Sequence, residues 1–243
     1  MSFLLDPFNW DPINPDNIPY YLQGHILLVL EALVIALVIA IPFAVLSARY
    51  RAVSLTVITI AGVIYTIPSI AALGFLIPFT HLDTPTILIP LVAYAQITLI
   101  RNIVSAIRAV DPALLDVGRA MGMNWLQLQL RVVVPQSLPL VIAGLRVATV
   151  TSIGIAAIGS FIALPTLGHF VFNGIQNSYR DEILAGAILL TALAIVADIG
   201  LLIIQRVTPR LLLWTLDGVT ALVYWARSAL ERSAAARAGA STA

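Results

Sequence analysis

The sequence predicts an all-α integral membrane protein. Five transmembrane helices, an N-terminus outside and a C-terminus inside are expected, with a short cytosolic helix and a C-terminal amphipathic helix. Three observations carry this expectation. The chain is 60% hydrophobic and only 10% charged over 243 residues, against roughly 25% charged residues in soluble domains. Its mean hydropathy is +0.99, and several apolar runs approach the ~20 residues that cross a hydrocarbon core of about 30 Å. The arginines also fall on alternate loops, as a fixed orientation requires.

Residues 1–23 form an expected extracytoplasmic segment. It is acidic and Pro-rich (Asp6, Pro7, Asp11, Pro12, Pro15, Asp16, Pro19) and lacks the basic start and apolar run of a cleavable leader. Trp10, Tyr20 and Tyr21 suit a membrane interface. Residues 24–206 form the membrane domain. Its spans are expected at 25–48, opening after Gly24, and at 55–78, 86–107, 138–163 and 183–205. Arg49 and Arg51 follow the first span, Arg108, Arg119 and Arg131 lie after the third, and Arg206 and Arg210 follow the fifth. The opposite side holds Asp6, Asp11, Asp16 and Asp83, with Arg180 its one basic residue. The positive-inside rule therefore places the 108–137 loop and the 207–243 tail in the cytoplasm.

Within that tail, 211–230 is long enough for a sixth span. However, Asp217, Thr220, Tyr224, Arg227 and Glu231 recur every three or four residues opposite Leu212, Leu216, Val219, Val223 and Leu230. That pattern, with Trp214 and Trp225 as anchors, favours a helix lying on the cytoplasmic surface. The Ala-rich end, 233–243, reads as disordered.

Composition also excludes chemistry. The net charge of +1 gives no footprint for nucleic acid, and the absence of Cys removes disulfides, thiolate catalysis and Cys metal sites. His25, His81 and His169 show no H-x-x-x-H spacing, and no G-x-S-x-G elbow occurs, so an intramembrane enzyme is disfavoured. A passive channel or structural subunit would fit the spans. It would not need the polar stretch D-V-G-R-A-M-G-M-N-W-L-Q-L-Q-L-R-V-V-V-P at 116–135.

That stretch has its own physical reading. Asp111 can cap a helix whose first turn holds Pro112. Residues 113–121 can continue it with Asp116 and Arg119 exposed, and Gly122 can stop it. Its spacing resembles the loop E-A-A-x3-G-x9-I-x-L-P of ABC importer permeases. Gly122 and Pro135 match outright, Asp116 stands for Glu, and Val132 and Val134 stand for Ile and Leu; Val117 and Gly118 depart from the Ala pair. Further stretches resemble the glycine betaine/carnitine/choline (osmoprotectant) permeases of this class: T-I-P-S-I-A-A-L-G-F-L-I-P at 66–78, I-R-N-I-V-S-A-I-R-A-V-D-P-A-L-L at 100–115, G-M-N-W-L at 122–126 and L-G-H-F-V-F-N-G-I at 167–175.

The resemblance implies a type I transmembrane subunit in a bacterial cell membrane, binding no cofactor itself. ATP and Mg would be bound by separate ATP-binding cassette subunits. These would dock on Pro112, Ala113, Leu114, Leu115, Asp116, Gly118, Arg119, Ala120, Met121 and Gly122. A second permease chain, identical or homologous, would complete the path, and an extracytoplasmic solute-binding protein would deliver the cargo. This chain contains no G-x-x-x-x-G-K-[ST] phosphate loop. The expected cargo is a quaternary ammonium osmoprotectant, with another small solute such as an amino acid derivative as the alternative.

Several residues are candidates for the path. Pro68 removes a backbone donor in mid-span and should kink the second helix beside Tyr65 and Ser69. Broken helices often line transport sites, though a packing kink explains Pro68 equally well. Tyr65 and Tyr94 could present π faces to a cation, and Glu31 could attract one or reach the outer interface. Arg146 and Asp198 each lie about 12 Å from the cytoplasmic end at ~1.5 Å per residue, with Arg101 at similar depth. Charges in a span are usually partnered, so Asp198 is expected to pair with Arg146 or Arg101. Residues 165–175, with Gly168 and Gly174, are expected outside as a re-entrant gate element or a plain connection.

Overall fold

The computed structural model describes residues 2–208. The expected amphipathic helix at 211–230 and the tail beyond it lie outside the described residues. Among the described residues, four helices are long and apolar enough to cross a membrane, and five spans result if a bent helix pair counts as one.

The chain opens with α1 (Ser2–Leu5) and a 3-10 turn at Pro7–Trp10 capped by Asp6. The first membrane helix, α2, runs from Ile18 to Arg49, seven residues earlier than the expected start at 25. Asn17 explains the difference: its side chain caps the Tyr20 amide at 2.8 Å, and Pro19 occupies the first turn. Gly24 is a close-packing position instead, because a Cβ there would lie 2.3 Å from the Pro165 carbonyl oxygen. On one face of α2, Ala32, Ala36, Ala40 and Ala44 recur every four residues and are buried. They let α5 (Thr84–Arg108) approach closely, and its Ile87, Leu91, Ala95, Leu99 and Ile103 join the same core. The other face of α2 exposes Leu27, Leu30, Val34, Val38 and Ile41, as a lipid-facing surface does. At the C-terminal end of α2, Arg108 donates to the Ser47 carbonyl at 2.8 Å, filling one of the orphan acceptors that end the helix.

The second expected span, 55–78, is two helices rather than one. α3 (Arg51–Tyr65) and α4 (Ser69–Thr80) meet at 89°. Pro68 at the break lacks the amide that would continue α3, and the residue before a proline is pushed out of helical geometry. A kink was expected there; the chain instead turns through a right angle.

The fourth span also differs. A helix was expected from 138, after Pro135. The helical path already starts at Trp125 and continues to Ile162, through α7 (Trp125–Leu128), a π turn (Gln129–Val133), α8 (Val134–Ala156) and a 3-10 turn (Ala157–Ile162). The π turn widens the helix just ahead of Pro135, with the Val134 amide bonded to the Gln129 carbonyl. The missing Pro135 donor is thus absorbed without a break. Close packing of α8 on α5 depends on Gly144, where a Cβ would meet Asn102 Cβ at 2.3 Å. A short helix, α9 (Gly168–Gln176), and a last apolar helix, α10 (Arg180–Thr208), complete the described chain.

Candidate functional site

The polar stretch forms α6 (Pro112–Ala120). Asp111 Oδ1 accepts the Ala113 amide at 2.9 Å and caps the helix. Its other end is a Schellman stop, with the Gly122 amide on the Arg119 carbonyl at 2.9 Å and the Met123 amide on the Gly118 carbonyl at 3.1 Å. Gly122 sits at φ +77°, the left-handed region that favours glycine. Asn124 and Gln127 then exchange hydrogen bonds as a capping box and start the next helix. A short helix of nine residues is marginal by itself; its two caps define its ends, and the capping box joins it to α7.

α6 touches the rest of the chain through one position above all. Gly118 is buried, and a Cβ there would lie 2.6 Å from Leu128 Cδ1. Around it, Leu114, Val117 and Met121 are exposed, the last at 72%. Asp116 and Arg119 form an exposed ion pair of 2.9 Å on the same helix, worth little to stability in water. The result is a small, rigid, apolar-bearing helix presented away from the bundle.

Within the bundle, the break at Pro68 gathers three of the expected path residues. Tyr65 and Tyr94 meet edge to face at 5.8 Å, and Tyr94 Oη donates to the Ile67 carbonyl at 2.9 Å. Tyr94 is therefore buried as the partner of a carbonyl that the break frees. Ser69 opens α4. Glu31 stands apart from this group, exposed beside a cleft of ≈ 160 Å³ that also involves Gly24 and Pro165.

The intramembrane charges sort into a pair and a remainder. Arg146 on α8 grips Asp198 on α10 with two hydrogen bonds of 2.8 Å, a bidentate fork. It also reaches Gln205 Oε1 at 3.1 Å, two turns further along α10. Arg101 does not join them: it is exposed and makes no ion pair among the described residues.

Sequence reasoning missed two polar groups. His25, considered in the sequence only as a metal ligand, is fully buried. Its Nδ1 accepts the Leu167 amide at 3.2 Å, and Nε2 faces the Ile153 carbonyl at 3.2 Å, which assigns the ring proton to Nε2. One side chain thereby joins α2, α8 and the connection into α9. Replacing His25 by Leu strands both backbone groups at about 1–3 kcal/mol each. We expect a loss of roughly 2–4 kcal/mol, seen as a thermal midpoint lower by about 5–15 °C in detergent; an unchanged midpoint would refute the staple. Glu182, the second, is buried on α10 and accepts from Asn173 Nδ2 of α9 at 2.8 Å.

The frame is a bundle of apolar helices with a broken span and one capped, exposed helix outside it. Comparison gives the family: residues 27–212 match the binding-protein-dependent transport system inner membrane component, and the chain belongs to it as the permease subunit of an ABC importer. It is 38% identical over 200 residues to the carnitine transport permease protein OpuCB of Listeria monocytogenes, covering 81% of this chain and 91% of that one. It is 34% identical over 199 residues to the glycine betaine/carnitine/choline transport system permease protein OpuCB of Bacillus subtilis (strain 168), with coverage of 81% and 91%. Among solved structures, a chain of the inward-facing MetNI methionine ABC transporter superposes with a TM-score of 0.66 at 22% identity. That match covers 76% of this chain and 93% of the other, and it speaks for the fold.

Proposed function

We propose that this permease imports a small quaternary ammonium osmoprotectant of the carnitine, glycine betaine and choline class, driven by ATP hydrolysed in separate subunits that dock on α6. The exposed α6, capped at both ends, is the observation that carries the coupling. A helix with Leu114, Val117 and Met121 uncovered suits a groove on a soluble partner. The names of the relatives support the cargo. The full assembly has two ATP-binding cassette subunits, which hold ATP and Mg, a second permease chain and an extracytoplasmic solute-binding protein. It sits in the bacterial cell membrane with residues 1–23 outside, 24–206 as the membrane domain and 207–243 inside. Residues 165–175 then lie at the outer mouth. Tyr65, Pro68, Ser69 and Tyr94 border the path at the broken span, and Glu31 lies nearer its outer end.

The test is reconstitution of the chain with its ATP-binding subunit and binding protein. ATP hydrolysis and uptake are measured with carnitine, glycine betaine, choline and neutral amino acids. Stimulation by the quaternary ammonium solutes alone is expected. Stimulation by the amino acids instead would reassign the cargo, and uptake independent of ATP would remove the coupling.

A further inference from the structure

The cleft between the 3-10 turn at Ala157–Ile162 and α9 has a composition unlike the rest of the bundle. Its ≈ 210 Å³ are lined by Ser160, Phe161, His169, Phe172, Asn173 and Gln176. That volume is below the roughly 300–1,000 Å³ of drug-sized pockets and limits a guest to a small molecule. Phe161 and Phe172 pair at 4.3 Å between ring centroids, tilted by 46°. They form an aromatic wall, and Phe161 is 52% exposed, with its ring available to a guest. Immediately behind the polar side of the cleft stands Glu182, only 5% exposed. Among the described residues its hydrogen bond comes from Asn173, which itself lines the cleft. No basic side chain pairs with Glu182 among the described residues.

Glu182 lies in the first turn of α10, where the free amides of the helix end favour a carboxylate, and it sets negative charge one amide away from an aromatic-walled cleft. Aromatic faces and a nearby acid attract a quaternary ammonium, which offers no N–H and is bound by its diffuse charge. Asn173, Gln176 and the Ser160 hydroxyl supply hydrogen bonds suited to the polar end of such a solute. Gly168 keeps the two walls close, since a Cβ there would fall 1.9 Å from the Ala157 carbonyl oxygen.

We propose that this cleft is a station for the quaternary ammonium group of the solute, with Phe161 and Phe172 as its π wall and Glu182 as its counter-charge through Asn173. The proposal rests on the cargo assigned above. It places a solute contact on α9, away from the broken span at Pro68.

The experiment uses the reconstituted complex in vesicles of phosphatidylethanolamine and phosphatidylglycerol, which carry no quaternary ammonium. Choline moved per ATP hydrolysed is measured with saturating binding protein. The double variant Phe161→Leu/Phe172→Leu keeps apolar bulk and removes the π faces. It should lower that ratio about tenfold, while ATP hydrolysis still responds to the loaded binding protein. Phe161→Tyr/Phe172→Tyr should restore it. Glu182→Gln, nearly isosteric, should lower it several-fold and decides the matter if the Leu variant assembles poorly. Unchanged ratios in the Leu variant, in Glu182→Gln, or equal losses in the Leu and Tyr variants overturn the station. Inhibition of choline uptake by added phosphatidylcholine would make the cleft a lipid-headgroup site and overturn it too. A wild-type complex that moves no choline, carnitine or betaine refutes the cargo assignment itself, whatever the variants do.

Discussion

Replacing residues 113–122 by a Gly-Ser linker of equal length should reduce ATP-driven uptake to background, a loss of at least about a hundredfold, while the chain still inserts and folds. The reason lies in what α6 touches. Of its residues only Gly118 is buried, so the bundle of α2, α5 and α8 loses almost none of its core when α6 goes. What disappears is a helix whose caps at Asp111, Gly122 and Asn124 fix it relative to α7. A flexible linker retains the length and loses the rigidity, so binding energy at the partner surface no longer moves the spans. Two measurements check this: solute uptake, and retention of the ATP-binding subunit on the purified permease. Uptake that survives the linker would sink the coupling role. Gly122→Val is the milder version. It forces a β-branched residue to φ +77°, a strain of about 1–2 kcal/mol that frays the stop without removing the helix.

The second large effect concerns Arg146 and Asp198. Asp198→Leu should lower folded, membrane-inserted protein roughly tenfold, because it leaves a guanidinium inside the span region with Gln205 as its remaining partner. The pair joins α8 to α10, a helix whose apolar window contributes no buried residues to the bundle in the single chain. The charge contact adds a polar tie to the packing of Leu190, Leu193, Ala194 and Ala197 against the core. Arg146→Leu/Asp198→Leu should recover most of the protein, since an apolar pair removes both charges from a place that has little water for either. Quantitative blotting of the membrane fraction reads all three variants. A double variant as poor as the single one would mean that the residues matter separately and not as a pair.

Much of this was legible from the sequence because it depends on local rules. Asp111, Pro112 and Gly122 mark the ends of α6 by capping chemistry alone. Matching depths in the apolar runs put Asp198 level with both Arg146 and Arg101; the structure pairs it with Arg146. Other features depend on partners far along the chain. His25 bonds to residues 128 and 142 positions away, and no periodicity reports such a contact. Gly24 read as a helix start because glycine signals both a boundary and a close approach; the Pro165 backbone decides which. Pro68 announced a deviation in the second span, but its 89° angle is set by what packs around it, including the Tyr94 hydroxyl. The fourth span starts earlier than the expected 138, since a π turn five residues long carries the helix through Pro135.

The unbroken helical path from Trp125 to Ile162 is 38 residues long, about 57 Å at 1.5 Å per residue. That is nearly twice the thickness of the ~30 Å hydrocarbon core. One end adjoins the capped α6 and the other carries Phe161. The path is a lever, and its gearing follows from its length. A tilt of about 5° about the α6 end displaces the far end by roughly 5 Å, close to the diameter of a small organic cation. Because α8 packs closely on α5 at Gly144, a tilt of that size would have to carry α5 with it.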